Sequence, residues 1–181
     1  MNMIVAVNKH GIIGKNNAMI WHIPEDMKHF RRETMHNIVL MGRKTYDSLP
    51  NGPLDSRTNI VITSKPENYK NTARSSTIFC DLDECDEILC KLQANTNKRI
   101  FVIGGAQIYT HFFKRCKTIY VTLVQNDELD GVSIYPLLEE MQTNYKIVSR
   151  TQKNDKPMQA AQTAQKSPTI DYEFIVYESP A

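Results

Sequence analysis

The sequence predicts an α/β fold: a doubly wound, mostly parallel central sheet of about eight strands, flanked by helices and closed at one edge by a C-terminal antiparallel hairpin. Three observations predict it. Short apolar runs alternate with helical patterns along most of the chain. Several of those runs are apolar on both faces, as in strands of a parallel sheet covered by helices. After Val124 the alternation stops, and two strand-like runs follow with no helical pattern between them.

The predicted strands are residues 4–7, 38–41, 60–62, 77–80, 100–103 and 119–124, then 145–150 and 172–177. The predicted helices are 24–35, 43–49, 83–94 and 106–113, chosen by apolar spacing near 3.6 residues. Residues 151–169 separate the last two strands, carry Pro157 and Pro168, and show no apolar periodicity. They read as a surface loop, with a short helix conceivable over 158–164. No repeat or linker divides the chain, so residues 1–181 are expected to form one domain.

Composition excludes several classes. With 41% hydrophobic and 23% charged residues the chain is ordinary globular protein, and its formal net charge is only +2. That balance predicts no nucleic-acid partner. No apolar run is long enough for a membrane span, and residues 3–7 are too short for a signal core, so a cytoplasmic protein is expected. Cysteines stand at 80, 85, 90 and 116 without a Cys-x-x-Cys pair. The first three straddle a predicted strand end and helix, so their side chains are expected to diverge as reduced thiols. His22, His29 and His36 recur every seven residues without a ligand pattern, and no metal site is predicted.

Asp26 is the first candidate for chemistry. In Trp21-His22-Ile23-Pro24-Glu25-Asp26-Met27, Pro24 suits the first helical position. Asp26, Phe30 and Thr34 then share one stripe, with Met27 three residues before Phe30. Two readings stand: a first-turn carboxylate favoured by the helix dipole, or a carboxylate facing a cleft. Glu25 fits the former. Beside Phe30, Asp26 fits the latter, with a pKa raised by desolvation and a planar cation as its natural partner.

Three strand ends form a second group. Met41-Gly42-Arg43-Lys44-Thr45 places two cations and a hydroxyl at a helix start. Cations there oppose the macrodipole unless an anion is bound, although two solvated surface cations fit the same pattern. Ile103-Gly104-Gly105-Ala106 permits backbone angles or a close approach that a Cβ forbids, and equally serves to turn the chain. Ile62-Thr63-Ser64-Lys65-Pro66 adds two hydroxyls and a cation. Together they suit a ligand with several phosphates at the carboxyl ends of the strands. Neither a P-loop nor a Gly-x-Gly-x-x-Gly fingerprint occurs.

In this order the motifs resemble the dihydrofolate reductase family. The resemblance rests on Ile4-Val5-Ala6, Gly11-Ile12-Ile13-Gly14, Asn17-Ala18-Met19-x-Trp21, Pro24-x-Asp26-x-x-x-Phe30 and Met41-Gly42-Arg43-x-Thr45. Arg57, Val102-Ile103-Gly104-Gly105, Tyr109, Thr122 and Tyr135-Pro136 continue it. It implies hydride transfer from NADPH to 7,8-dihydrofolate, giving tetrahydrofolate. Asp26, Trp21 and Thr122 would be the catalytic set, Asp26 holding the pterin and promoting protonation at N5. Ile4, Met27, Phe30, Leu49 and Ile103 would enclose the substrate, Arg57 would clamp its glutamate carboxylate with Arg31 nearby, and Tyr109 would stand where the pterin and nicotinamide meet. Ala6, Ile13, Asn17, Ala18 and Met19 would flank the nicotinamide side. Gly42, Thr45, Gly104, Gly105, Ala106, Gln107 and Ile108 would face the pyrophosphate, and Arg43, Lys44, Ile62, Thr63, Ser64 and Lys65 the adenosine end and its 2′-phosphate. Antifolates would be ligands, and a monomer is the family's commonest form.

Some positions depart from the family's pattern. Ile20 stands where proline is common, Val132 where bacterial members often carry an acid that pins the loop of residues 8–19, and Gln107 where a basic residue is common. These bear on loop restraint and cofactor affinity. Two competing readings are a reductase of the same fold acting on another heterocycle, and a binding module without activity. The pair Asp26 and Arg57 separates the first, since a pterin–glutamate substrate needs both. Intact Asp26, Trp21 and Gly104-Gly105 weigh against the second.

Overall fold

Alternation of side chains along each strand organises the molecule around one twisted sheet. The computed structural model describes residues 1–69, 76–155 and 170–180. Its first half contains β1 (Asn2–Asn8), β2 (Ile12–Gly14), α1 (Pro24–Thr34), β3 (Ile38–Gly42), α2 (Arg43–Asp47), β4 (Thr58–Ile62) and β5 (Thr77–Cys80). The second half contains α3 (Leu82–Ala94), β6 (Ile100–Gly104), α4 (Ala106–Phe112), β7 (Thr118–Val124), β8 (Val132–Ser133), α5 (Tyr135–Asn144), β9 (Lys146–Asp155) and β10 (Ile170–Glu178). Eight strands form one sheet in the order β5-β4-β3-β6-β1-β7-β10-β9. Pairings from β5 through β7 are parallel, whereas β10 runs antiparallel to both β7 and β9. The doubly wound sheet with an antiparallel hairpin at its edge is therefore present.

Successive residues of each strand serve opposite faces. Met3, Val5, Val7, Ile38, Leu40, Ile100 and Val102 pack in one cluster with Leu89 of α3, Phe112 of α4 and Leu138 of α5. Ile4, Val39, Met41, Val61 and Phe101 point the other way, against Phe30 of α1 and Tyr46 of α2. Both faces are covered, which explains why the central strands read as unbroken apolar runs. Ile4 and Thr122 thereby fall on the α1 face, and that face carries the site.

The structure corrects the sequence reading in three places besides the short β2–β8 pair, which the predicted strands do not include. Helix α5 was absent from it. Only Leu137, Leu138 and Met141 of this ten-residue helix are buried, and Ile134 caps it with no side-chain bond, so its signal is thin. Residues 151–155 are strand, not loop: the polar end of β9 pairs with β10 from Thr151↔Phe174 to Asp155↔Ile170. Backbone pairing, not side-chain periodicity, decides that segment. The remainder of the expected loop, including 158–164, lies outside the described residues. Lastly, Cys80 and Cys85 are both fully buried in the same core cluster, where their side chains were expected to diverge.

Candidate active site

The first turn of α1 carries two carboxylates with opposite fates. Ile23 caps the helix without a side-chain bond, and Pro24 occupies its first turn. Glu25 is exposed and pairs with Lys28 at 2.7 Å, which holds its carboxyl below the usual range. Asp26 turns inward and is only 8% exposed. Its Oδ1 accepts a hydrogen bond from the Thr122 hydroxyl at 2.5 Å. Thr122 stands on β7 opposite Ala6 of β1, on the face toward α1. Burial pushes the Asp26 pKa up, and the Thr122 bond opposes this only in part. No ion pair to Asp26 exists among the described residues, so the carboxyl is a desolvated group open to a cationic or proton-donating ligand.

The proposed substrate residues surround it unevenly. Phe30, Leu49 and Ile103 pack with Ile4 in the cluster on the α1 face. Met27 is 44% exposed, on the solvent flank of the same helix. Trp21 is buried with Ile23, Val124 and Tyr172, and its indole N–H has no hydrogen-bond partner among the described residues. An unpaired buried donor costs about 1–3 kcal/mol, which marks Trp21 as a group awaiting an acceptor. Tyr109 is buried, donates to the Ile4 carbonyl at 2.9 Å, and feels the Asp26 charge in addition to its own desolvation.

Arg57 lies further along the same face. Its Nε donates to the Asp55 carbonyl at 3.0 Å and Nη1 to the Thr34 hydroxyl at 3.0 Å. The guanidinium sits 5.9 Å from the Phe30 ring centroid. Burial and the neighbouring Arg31 lower its pKa, and no carboxylate pairs with it among the described residues. A buried cation held by neutral acceptors, with Asp55 acting on it only through its field, is a receptor for an anion. Arg31 itself is exposed.

At the carboxyl ends of β3, β6 and β4 the expected nucleotide residues gather. Helices α2 and α4 start at Gly42 and Gly105, neither with a side-chain cap. A Cβ on Gly42 would come 3.0 Å from Ile108 Cγ1, and one on Gly105 would stand 3.5 Å from Thr45 Oγ1. Gly104 adopts φ +120°, and a Cβ there would meet the Tyr109 ring at 3.3 Å. Two uncapped starts beside glycines and the Thr45 hydroxyl fit a pyrophosphate. Arg43 is exposed, pairs with Asp47 at 2.6 Å and bonds Tyr69, which raises its pKa. Lys44, Ser64, Lys65 and Gln107 are exposed, and Ala106 is half-buried. Ile62 and Thr63 are buried, and the Thr63 hydroxyl accepts the Lys65 N–H at 3.3 Å.

The loop of residues 8–19 is restrained by groups that sequence reasoning missed. Strand β2 pairs with β8, Ile12 opposite Ser133 and Gly14 opposite Val132. Lys9 pairs with Asp127, and Lys15 with Asp130 at 2.7 Å. The Asn8 side chain donates to the Glu128 carbonyl at 2.8 Å and accepts the Ile12 N–H at 2.9 Å. Backbone pairing and these polar contacts hold the loop, with Val132 itself in the pair. Beyond them Asn16 and Asn17 have φ +52° and +60° in a tight turn, closed by Lys15 and Ala18. Ile13 is half-buried, while Asn17, Ala18 and Met19 are exposed. Alternating basic and acidic residues in 9–15 and 127–130 were the available signal.

A mostly parallel sheet with a desolvated carboxyl on one face and glycine-marked helix starts at its strand ends suits the class of dinucleotide-dependent reductases. The model of the family described as Dihydrofolate reductase matches residues 1–176. Among curated proteins, the Dihydrofolate reductase of Bacillus subtilis (strain 168) is 34% identical over 179 residues, covering 98% of this chain and 94% of that protein. Dihydrofolate reductase type 9 of Escherichia coli is 36% identical over 137 residues, 69% of this chain and 70% of that one. A solved structure, dihydrofolate reductase from Enterococcus faecalis complexed with NADP(H) and RAB-propyl, superposes with a TM-score of 0.74 at 24% identity. It covers 99% of this chain, and this chain covers 96% of it. The chain belongs to the dihydrofolate reductase family. Its activity is that of a dihydrofolate reductase, an NADPH-dependent oxidoreductase.

Proposed function

We propose that Asp26 is the pterin anchor of this enzyme, working with Thr122 and Trp21 as one domain, monomeric and cytoplasmic. The observation that carries the proposal is the burial of Asp26 against the Thr122 hydroxyl without a cationic partner among the described residues. NADPH, when bound, supplies the hydride. Asp26 accepts from the pterin 2-amino group and N3, Thr122 fixes the carboxyl's orientation, and the raised Asp26 pKa favours proton delivery toward N5. The Trp21 indole N–H orients polar groups beside the ring. Ile4, Met27, Phe30, Leu49 and Ile103 enclose the substrate and exclude water, and Tyr109 keeps the backbone of Ile4 in place.

Arg57 receives the glutamate carboxylate of the substrate, with Arg31 adding positive field. Its buried charge, in no ion pair among the described residues, favours a carboxylate-bearing pterin over a heterocycle that lacks one. Gly42, Thr45, Gly104, Gly105, Ala106, Gln107 and Ile108 hold the pyrophosphate of NADPH. Arg43, Lys44, Ile62, Thr63, Ser64 and Lys65 hold the adenosine end, and Ala6, Ile13, Asn17, Ala18 and Met19 shield the nicotinamide. The test is consumption of NADPH with dihydrofolate, inhibited by methotrexate, in the parent and in Asp26→Asn. Full turnover in Asp26→Asn would remove Asp26 from its role.

A further inference from the structure

The cations Arg43, Lys44 and Lys65 stand at the carboxyl ends of β3 and β4, and they are not equivalent. Gly42 and Ile62 are opposite one another in register, so Arg43 and the segment Thr63-Ser64-Lys65 leave adjacent strand ends. Lys44 and Lys65 are exposed, and neither pairs with a carboxylate among the described residues. Arg43 is already engaged. Its Nη1 donates to Oδ2 of Asp47 at 2.6 Å, with the two side chains 43% and 41% exposed.

Helix stability does not account for this pair. Residues four apart share one face of a helix, but here the cation stands at the start of α2 and the anion at its end, the order that opposes the helix dipole. Other contacts hold α2. Tyr46 packs edge-on against Phe79, ring centroids 5.2 Å apart, and so fixes the rotation of the helix. The Ser48 hydroxyl donates to the Thr45 carbonyl at 2.7 Å and closes its end. What the pair does is aim the Arg43 fork and reduce the positive field at this corner of the cleft.

For an incoming anion the result is competition. A guanidinium carries five donors, so Arg43 can meet a second anion while it holds Asp47. That anion would stand roughly 6–8 Å from the Asp47 carboxylate, inside a screening length of about 8–10 Å at ordinary ionic strength. A phosphate monoester carries a charge of about −1.5 to −2 at neutral pH and is repelled at that range. A ribose 2′-hydroxyl is neutral, and a carboxylate can accept its proton in a hydrogen bond.

We propose that Asp47 is a specificity-determining residue, which holds down the preference for NADPH over NADH by occupying Arg43 and repelling the 2′-phosphate. The proposal rests on the reading that Arg43 faces the adenosine end. Asp47 acts through Arg43, as a positioning residue, and stays away from the reacting atoms.

The test compares Kd values for NADPH and NADH by fluorescence titration. Asp47→Asn removes the charge and keeps the shape of the side chain. Its NADPH Kd is expected to fall roughly three- to tenfold, while its NADH Kd stays within about twofold of the parent. Asp47→Ser repeats the result should Asp47→Asn fold poorly. Adenosine 2′,5′-bisphosphate, followed by calorimetry, shows the same gain, and adenosine 5′-monophosphate shows none. Asp47→Glu restores a carboxylate and keeps the ratio of the NADH and NADPH Kd values near that of the parent. Glu87→Gln, which breaks an exposed pair with Lys91 at the same spacing on α3, leaves both Kd values unchanged. An unmoved ratio in Asp47→Asn, or an equal gain for both nucleotides, overturns the proposal. Arg43→Ala tells its failure from that of the reading beneath it. A ratio that falls in Arg43→Ala and does not move in Asp47→Asn overturns the role of Asp47 alone. A ratio unmoved in Arg43→Ala takes the 2′-phosphate away from Arg43 and overturns both.

Discussion

The substrate and nucleotide sides of the cleft solve ligand recognition differently. On the α1 face the key groups are buried before any ligand arrives: Asp26 is desolvated against Thr122, and Arg57 is held by Thr34 and the Asp55 carbonyl. At the strand ends the cations Arg43, Lys44 and Lys65 stay in water, and the fixed elements are glycines and helix starts. Buried charges act at full strength and demand one partner geometry. Exposed ones are screened and forgiving. The comparison teaches that specificity for the pterin is stored in the fold, whereas the phosphates are met largely by backbone.

The strongest test of that contrast is Asp26→Asn, which is expected to lower kcat by about 10²–10⁴-fold with NADPH affinity unchanged in a fluorescence titration. Next, Arg57→Lys keeps the charge and loses the planar fork. It is expected to raise KM for dihydrofolate roughly tenfold or more, with kcat and NADPH Kd near the parent values. An equal loss in NADPH binding would show the two sides to be coupled. On the nucleotide side, Gly105→Ala is expected to weaken NADPH several-fold with little change in melting temperature, since its Cβ meets Thr45 Oγ1 only at an ordinary 3.5 Å. Raising ionic strength should likewise weaken NADPH binding more than it raises KM for dihydrofolate.

The smallest effect is on stability against pH. The folded pKa of Asp26 lies above its unfolded value, so the neutral carboxyl is the form the fold prefers. Its contribution is complete below the unfolded value of about 4 and is lost as pH rises through the folded one. The melting temperature of the parent relative to Asp26→Asn should fall across that window in ligand-free protein. A relative rise would mean that the carboxylate is structurally paired.

Much of this was legible in the chain. The stripe of Asp26, Phe30 and Thr34 places Asp26 inward on α1, and Pro24 marks where the helix starts. Apolar runs such as 38–41 announce strands buried on both faces. The glycines at 42, 104 and 105 stand where strands give way to helices. Other features left no local trace. Thr122 is one hydroxyl among many until β7 pairs with β1, and His29 shows no sign in the sequence of packing tilted against Phe174, ring centroids 4.4 Å apart. The Lys15–Asp130 pair spans two loops, and residues 151–155 are strand only because β10 lies alongside.

The sequence by itself determined which faces are apolar, because strand and helix periods of 2 and 3.6 residues follow from local geometry. It also determined where the backbone can turn, because glycine and proline act on their own dihedral angles. Only the tertiary structure decided which polar groups lose water and which partners they then meet. Asp26 against Thr122 and Arg57 against Thr34 are products of packing between distant segments. Desolvation is a property of the enclosure, and no single residue carries it.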